Sequence, residues 1–432
     1  MKTAIRHCVQ FFLVIAAVVA AVLAWRDGAR PVLRLYVWND YIFPHVIADF
    51  EKRFDVRVDV TNYRSNAEMM ARVRVSWNEF DVIMPSSYMV ASMRRQGLLL
   101  RLPGSGLDNR VNVDPKFRTE AKDALPAPSP VTFQVAGAVP DAGPGKGEAP
   151  AGTSHAAAIA RDEDYAIPYL WNYLGIGYSK TEFPEKPAAA VEPPKTWAQF
   201  FSREVAAKYG RRRMMVGEPR ELIGLALIAL GQSPNTRERQ SIRDAGQLLQ
   251  PRELSEQPRL VFEDGGELLA EGEGVLLQSW APEITRLQEK VPAGAAGDRS
   301  WFSTGWDTVT TWLRGLILVA KREPRRPEIG YIMPGDGSVI TVDTLAIPAS
   351  SSQPELAAKF INFLLETEVA KRVTADSFYA NTVFGAEVEK LKGSPSYQQP
   401  PNGKTYFLLD VGDAQLFYDG VWAEFTRMNR EP

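Results

Sequence analysis

Acidic and aromatic side chains stand together where two predicted strands of this chain end. Trp38, Asp40 and Tyr41 follow residues 33–37, in which apolar and polar side chains alternate as they do in a strand. Trp280 and Glu283 follow a second buried run, at residues 271–279. Open α/β sheets bind ligands beyond the carboxyl ends of their strands. The placement therefore favours a binding site, although the same aromatics could also simply fill space.

Further residues in both halves of the chain depart from a simple core pattern. Asp343 lies inside the predicted strand 338–347, where a charged side chain requires a partner or a ligand. Ser86 and Glu221 lie at predicted helix starts, where capping or the helix dipole would account for them without a ligand. The candidate binding set is Trp38, Asp40, Tyr41, Ser86, Tyr88, Glu221, Trp280, Glu283, Asp343 and Tyr379.

The chemistry of this set favours a cationic ligand. It is aromatic and acidic and contains no lysine or arginine, whereas an anion would require basic side chains. Aromatic faces attract ammonium groups by about 0.5–2 kcal/mol each. A buried ammonium group also needs a carboxylate, because otherwise it would lose its proton. Several carboxylates spread over a cleft therefore predict a ligand with more than one positive charge, unless they are unrelated capping and packing residues.

Composition limits the other classes of function. The chain has 432 residues, enough for two lobes of ordinary domain size, and a formal net charge of -2. That charge gives no reason to expect a nucleic acid partner. Cys8 is the single cysteine, so no internal disulfide can form, and the three histidines show no metal-ligand spacing. We therefore predict neither a metal nor another cofactor.

The N-terminal segment, residues 1–31, has the pattern of a targeting sequence. Lys2 and Arg6 make a basic start, and residues 9–24 are almost wholly apolar. The segment is either a signal peptide cleaved before Trp25 or an uncleaved anchor that attaches the protein to the membrane through residues 9–25. In both cases the remainder of the chain is expected to be exported.

The predicted strands and helices that position these residues indicate an α/β protein. Strands and helices alternate up to residue 96, which predicts a parallel sheet with helices on both faces. Residues 164–177 predict a strand pair that crosses from one lobe to the other, and Ser352 with Glu355 predicts a capping box for the helix that ends near 365. Residues 124–160, rich in Ala, Pro and Gly, predict a flexible insertion, whereas 291–326 predict an irregular aromatic one.

Residues 33–391, outside the two insertions, resemble a known protein family. The chain resembles the periplasmic spermidine/putrescine-binding proteins, which are the solute receptors of polyamine ABC transporters. Each matching stretch is weak alone, but their order and spacing are specific. The stretches are VWNDY at 37–41, FDVIMPSSY at 80–88, AIPYLW at 166–171, GIGY at 175–178, DTLAIP at 343–348, FINFLL at 360–365 and FYAN at 378–381.

The resemblance implies a periplasmic α/β protein with the two-lobed type II periplasmic-binding-protein fold, hinged by crossing strands, with its ligand in the interlobe cleft. It places residues 32–165 with 344–382 in one lobe and 166–343 with 383–432 in the other. It implies that Trp38, Tyr41, Trp280 and Tyr379 line an aliphatic chain. It further implies that Asp40, Glu221, Glu283 and Asp343 bind ammonium groups, that Ser86 lies at the cleft wall and that Glu218 is a further anion.

The implied partners are a polyamine and the membrane permease of an ABC transporter. Thr341 departs from the family, which often has an aromatic residue there, so a longer or bulkier amine is expected to fit.

Other functions remain open on the sequence alone. The same fold could bind another organic cation or ferric iron, and three of the candidate tyrosines would suit iron. A membrane-anchored sensor could use the aromatic insertion to contact a partner. An exported enzyme could use paired carboxylates, for example on a glycan. We predict a binding protein and not an enzyme, because the sequence contains no nucleophile elbow, metal motif or phosphate loop.

Overall fold

A computed structural model describes residues 30–76, 78–117, 162–184, 192–262, 264–289 and 328–429. The predicted targeting segment, up to residue 29, and the predicted insertions 124–160 and 291–326 lie outside the described residues. Within the described part of the chain, no helix has the length and apolar character needed to cross a membrane.

The described elements alternate between strands and helices along most of the chain. The strands are β1 (Val32–Trp38), β2 (Arg57–Tyr63), β3 (Val82–Ile83), β4 (Ala166–Ser179), β5 (Arg213–Val216), β6 (Arg259–Val261), β7 (Leu276–Trp280), β8 (Ile329–Ile332), β9 (Ser338–Ala346), β10 (Ala380–Asn381) and β11 (Thr405–Phe407). The α-helices are α1 (Pro44–Phe54), α2 (Asn66–Val75), α3 (Ser87–Arg95), α4 (Trp197–Phe200), α5 (Arg203–Tyr209), α6 (Pro219–Ala229), α7 (Arg239–Leu249), α8 (Gly265–Ala270), α9 (Ala281–Gln288), α10 (Pro354–Leu364), α11 (Thr367–Ser377) and α12 (Gln415–Met428).

One continuous sheet connects two halves of the molecule. Its strand order is β2-β1-β3-β9-β4-β7-β5-β6, with β8 and β10 paired to β4 and β11 paired to β9. The strands β1, β2 and β3 run parallel, as do β5, β6 and β7, whereas β4 and β9 pair antiparallel at the centre. The two central strands therefore belong to both halves, and the prediction of crossing strands is confirmed.

Each half has its own apolar core, which defines two lobes. In lobe 1, α1 and α10 cover β1 to β3, and the Phe50 and Phe360 rings meet edge to face with centroids 4.9 Å apart. In lobe 2, α6 lies under α7 and α12. After its first turn, helix α6 is apolar on all sides from Leu222 onward, as expected of a buried helix. The predicted division of the chain into lobes by residue number stays a prediction.

Three local predictions were wrong. Residues 166–179 form one long strand and not a strand pair, because β9 and β7 supply its neighbours. The capping box at Ser352 does not form: the Asp81 carboxylate accepts hydrogen bonds from the backbone N–H groups of Ser352 and Gln353 instead. The predicted strand 271–279 begins only at Leu276, since α8 and a turn precede it.

Candidate functional site

Asp343 lies at the centre of β9, between the two lobes, and is 4% exposed. Its carboxylate accepts hydrogen bonds from the Ser86 hydroxyl and the Tyr41 hydroxyl, both at 2.6 Å. Burial raises the pKa of Asp343 to about 6, although these hydrogen bonds favour the ionised form. Ser86 begins α3 without capping it, so its hydroxyl serves Asp343 and not the helix.

Aromatic rings form a wall beside Asp343. The Trp38 ring lies 4.5 Å from Tyr63 and 6.5 Å from Tyr41, and Tyr41 lies 4.7 Å from Tyr379, measured between centroids. Trp38 and Tyr63 are opposite one another at the carboxyl ends of β1 and β2. Sequence reasoning selected Trp38 for that position but missed Tyr63, which ends the neighbouring parallel strand and could have been found by the same criterion.

Two further acids enter the site where β5 leads into α6. Glu218 is the N-cap residue and Glu221 lies in the first turn, so the chain turns both towards the strand ends. Glu218 accepts hydrogen bonds from the Asn66 backbone N–H at 3.1 Å and from the Asn66 amide at 3.4 Å, which connects lobe 2 to the start of α2 in lobe 1. Sequence reasoning missed Asn66. Its position as a polar residue shortly after the end of a strand could have indicated it.

Glu221 is held from the other side by an aromatic residue of lobe 2. The Trp280 indole N–H donates to the Glu221 carboxylate at 2.9 Å. Tyr88 is half-buried nearby, and the charges of Glu218 and Glu221 help to raise the pKa of its hydroxyl. Burial raises the pKa of Glu218 to about 8. Burial, together with the charges of Glu218 and Asp343, raises the pKa of Glu221 well above its usual range.

Glu218, Glu221 and Asp343, which we call the carboxylate cluster, therefore lie buried within electrostatic reach of one another. Among the described residues, no lysine, arginine or histidine forms an ion pair with any of them. Arg220 is near in sequence, but its guanidinium donates to the backbone oxygens of Pro234 and Leu409. A set of buried acids without a basic partner is a site that a cation would stabilise.

The carboxylate cluster is suited to an extended cation better than to a single metal ion. Within the described ranges, no three His, Cys, Asp or Glu side chains come near enough to hold one metal ion together. The charges of Glu218 and Asp343 nevertheless raise the pKa of Glu221, so the three acids lie within electrostatic reach of one another without converging on one point. A chain with positive charges at intervals matches such spacing.

Two predicted site acids do not join the carboxylate cluster. The Glu283 carboxylate accepts hydrogen bonds from the Gly266 backbone N–H and the Ser279 hydroxyl within lobe 2. The Asp40 carboxylate pairs with the Arg286 guanidinium of α9 at 2.9 Å, across the two lobes. The interpretation that the site contains no basic residue overlooked Arg286. Arg286 lies three positions after Glu283, and only the folded chain brings its guanidinium to Asp40.

This pairing gives a first testable prediction. The Asp40→Asn variant is expected to lose less than about fivefold in affinity for a cationic ligand, because Asp40 is 41% exposed and Arg286 already balances its charge. Titration calorimetry on the variant and the unchanged protein measures the difference. A loss of a hundredfold would mean that Arg286 leaves Asp40 when ligand binds and that Asp40 itself binds a positive charge.

Comparisons with known proteins identify the family of this chain. A family model described as bacterial extracellular solute-binding protein matches residues 45–405. Spermidine/putrescine-binding periplasmic protein 1 of Haemophilus influenzae is 24% identical over 406 residues, covering 92% of this chain and 89% of that protein. The putrescine/cadaverine-binding protein of Pseudomonas aeruginosa is 25% identical over 358 residues, covering 82% of this chain and 81% of that protein.

Solved structures establish the fold. The spermidine/putrescine ABC transporter substrate-binding protein PotD from Streptococcus pneumoniae superposes with a TM-score of 0.59 at 19% identity, over 93% of this chain and 100% of that one. A periplasmic thiamin binding protein gives 0.56 at 14% identity, over 93% and 97%. The predicted type II periplasmic-binding-protein fold is therefore confirmed. Since the family model spans most of the chain, this protein belongs to the bacterial extracellular solute-binding proteins.

Proposed function

We propose that this protein captures a linear polyamine of the putrescine and spermidine type in the cleft between its lobes and delivers it to the membrane permease of an ABC transporter. The observation that carries the proposal is the carboxylate cluster, three buried acids that have no basic partner among the described residues. The names of the relatives from Haemophilus influenzae and Pseudomonas aeruginosa support the same ligand class.

The proposed binding mode follows from the positions of the side chains. One ammonium group lies at Asp343, whose carboxylate Ser86 and Tyr41 already orient. The methylene chain runs along the aromatic wall, where faces such as that of Trp38 contribute both apolar contact and attraction for the cation. A second ammonium group lies near Glu221, which Trp280 holds in place. We further propose Tyr88, Tyr379 and Glu218 as neighbours of the ligand.

Closure of the two lobes would complete such a site. Residues from both lobes meet there: Asn66 of lobe 1 donates to Glu218 of lobe 2, and Arg286 of lobe 2 pairs with Asp40 of lobe 1. Contacts between residues of the two lobes stabilise the closed arrangement around a ligand. We propose a role in binding alone, without catalysis, on the outer side of the cytoplasmic membrane, with residues 1–31 as signal peptide or anchor.

Two of the alternatives keep the same fold. A receptor for another organic cation would use the same cleft, and a membrane-anchored sensor would keep the ligand but hand it to no permease. A ferric iron receptor is less well supported, because among the described residues these acids do not surround one point.

Calorimetric titration of the purified protein with putrescine, spermidine, spermine and a neutral amino acid tests the proposal. We expect one amine to bind with a dissociation constant of about 1 μM or lower and the amino acid not to bind, because only the amines supply positive charge to the carboxylate cluster. If no amine binds while the folded protein shows a cooperative thermal transition, the polyamine proposal is wrong.

A further inference from the structure

Asp343 lies on one face of the two crossing strands, and we call this face the floor of the site. On β4 and β9, Leu170 is opposite Asp343 and Asn172 is opposite Thr341. Residues two apart on a strand share a face, so Asn172 and Thr341 lie beside Asp343 on the same side of the sheet. The residues between them face the opposite way, into a separate apolar cluster that contains Tyr173, Ile340 and Val342 together with Trp171 at its edge.

The Asn172 side chain is incompletely satisfied at this position. Its amide nitrogen donates to the Thr341 hydroxyl at 2.7 Å. Asn172 is 1% exposed, and its side-chain carbonyl oxygen accepts no hydrogen bond from the residues that the structure describes. A buried carbonyl oxygen without a donor is unfavourable, so the oxygen is available for a donor that a ligand brings.

We propose that the Asn172 carbonyl oxygen accepts a hydrogen bond from an inner N–H group of the ligand, so that the cleft selects a triamine over a diamine of the same length. The inference rests on the proposed function and specifies its substrate class. Diagonal neighbours on adjacent strands are about 7–8 Å apart, so Asn172 is one short methylene spacer away from Asp343. An ammonium group held by Asp343 therefore brings the next nitrogen of a triamine to the Asn172 amide.

The charges of the site fit the same ligand. The carboxylate cluster offers three acids, one beside Asn172 on the floor and two at the start of α6. An inner secondary ammonium group has two N–H donors, of which the neutral Asn172 oxygen can accept one while the nearby acids balance the charge. A methylene group at that place would leave the oxygen without a donor, which disfavours a simple diamine of equal length.

The test compares two ligands that differ only at the inner position. Spermidine has an inner nitrogen, whereas octamethylenediamine has a methylene group there and the same chain length. The ratio of their dissociation constants is measured calorimetrically in the unchanged protein and in Asn172→Leu. Because each ratio is taken within one protein, a general loss of affinity does not affect it. We expect the preference for spermidine to fall about tenfold in the variant, as for a lost hydrogen bond to a charged group.

A second pair of variants, Thr341→Val and Thr344→Val, tests the same proposal if Asn172→Leu does not fold. Thr341→Val keeps the side-chain volume but removes the hydroxyl that orients the Asn172 amide, so the preference is expected to fall about threefold. Thr344→Val is the matched control. Thr344 lies on the other face of β9, and its hydroxyl donates to the Pro85 backbone oxygen, which also accepts from the Thr344 backbone N–H.

The outcomes separate the two proposals. A reduced preference in Asn172→Leu or Thr341→Val, with Thr344→Val unchanged, supports the triamine site. An unchanged preference in both variants overturns it while leaving polyamine binding intact. If the unchanged protein binds neither ligand, the polyamine function itself fails, and the triamine inference fails with it.

Discussion

Replacing Asp343 with asparagine is expected to weaken amine binding by at least about 100-fold. Asp343 is buried on β9, and an ammonium group beside it would form an ion pair removed from water. Removing one partner of such a pair costs about 3–5 kcal/mol, because the other charge stays buried without compensation. Titration calorimetry with the best amine measures the loss.

The stability of the ligand-free Asp343→Asn variant distinguishes a binding role from a structural one. Burial raises the pKa of Asp343 to about 6, so at neutral pH the folded protein holds a mostly ionised carboxylate whose charge burial disfavours. The variant removes that unfavourable charge and retains an oxygen that can accept from Ser86 or Tyr41. We therefore expect its thermal midpoint to equal or exceed that of the unchanged protein.

The control is Asp376→Asn, which removes a half-exposed carboxylate beside His45 on lobe 1. It is expected to change amine affinity by less than about twofold, because an exposed pair of this kind contributes little. If Asp343→Asn keeps its affinity within a factor of about five, Asp343 does not bind an ammonium group and the proposed binding mode is wrong.

The parts of this site that the sequence could predict follow strand ends and strand interiors. Trp38 was found because an alternating run stops there, and Asp343 because a charge interrupts an apolar strand. Glu221 and Trp280 were each found alone, but their hydrogen bond was not, since 59 positions separate them. Local pattern identifies a residue as unusual, whereas its partner depends on the fold.

The same limit explains what the sequence missed. Arg286 balances Asp40 across 246 positions, and Asn66 reaches Glu218 across 152. No periodicity connects such residues, because the crossing strands bring the two lobes together only after the sheet has formed. The capping prediction at Ser352 failed for a related reason: Asp81, 271 positions away, accepts from the Ser352 backbone N–H, which the Glu355 side chain of a capping box would have bound.

Amine affinity is expected to rise by at least about tenfold between pH 6 and pH 8. Burial raises the pKa of Glu218 to about 8, so Glu218 holds a proton at pH 6 in the ligand-free protein, and burial also raises the pKa of Glu221. An amine with the pKa of a lysine side chain is fully charged throughout this interval. It binds the ionised acids, so each acid that must lose a proton weakens binding by up to about tenfold per pH unit below its pKa.

The stability of the ligand-free protein should change in the opposite direction. An acid whose pKa is higher in the folded than in the unfolded chain binds more protons when folded, so raising the pH towards its folded pKa lowers the free energy of unfolding. For Glu218 this window runs from its ordinary pKa near 4.5 to about 8. The ligand-free thermal midpoint should therefore fall over the same interval in which the affinity for amine increases.

Calorimetry in buffers of different ionisation enthalpy counts the protons directly. At pH 7 we expect about one proton to be released for each amine bound, because Glu218, whose pKa burial raises to about 8, must ionise to balance the ligand. The Glu218→Gln variant keeps a hydrogen-bond acceptor for Asn66 but has no proton to release, so its affinity should depend less on pH. A flat affinity between pH 6 and pH 8 with no proton release would mean that Glu218 is already ionised without ligand. The carboxylate cluster would then need a compensating charge from outside the described residues, and the physical reason for choosing a polycation as ligand would be lost.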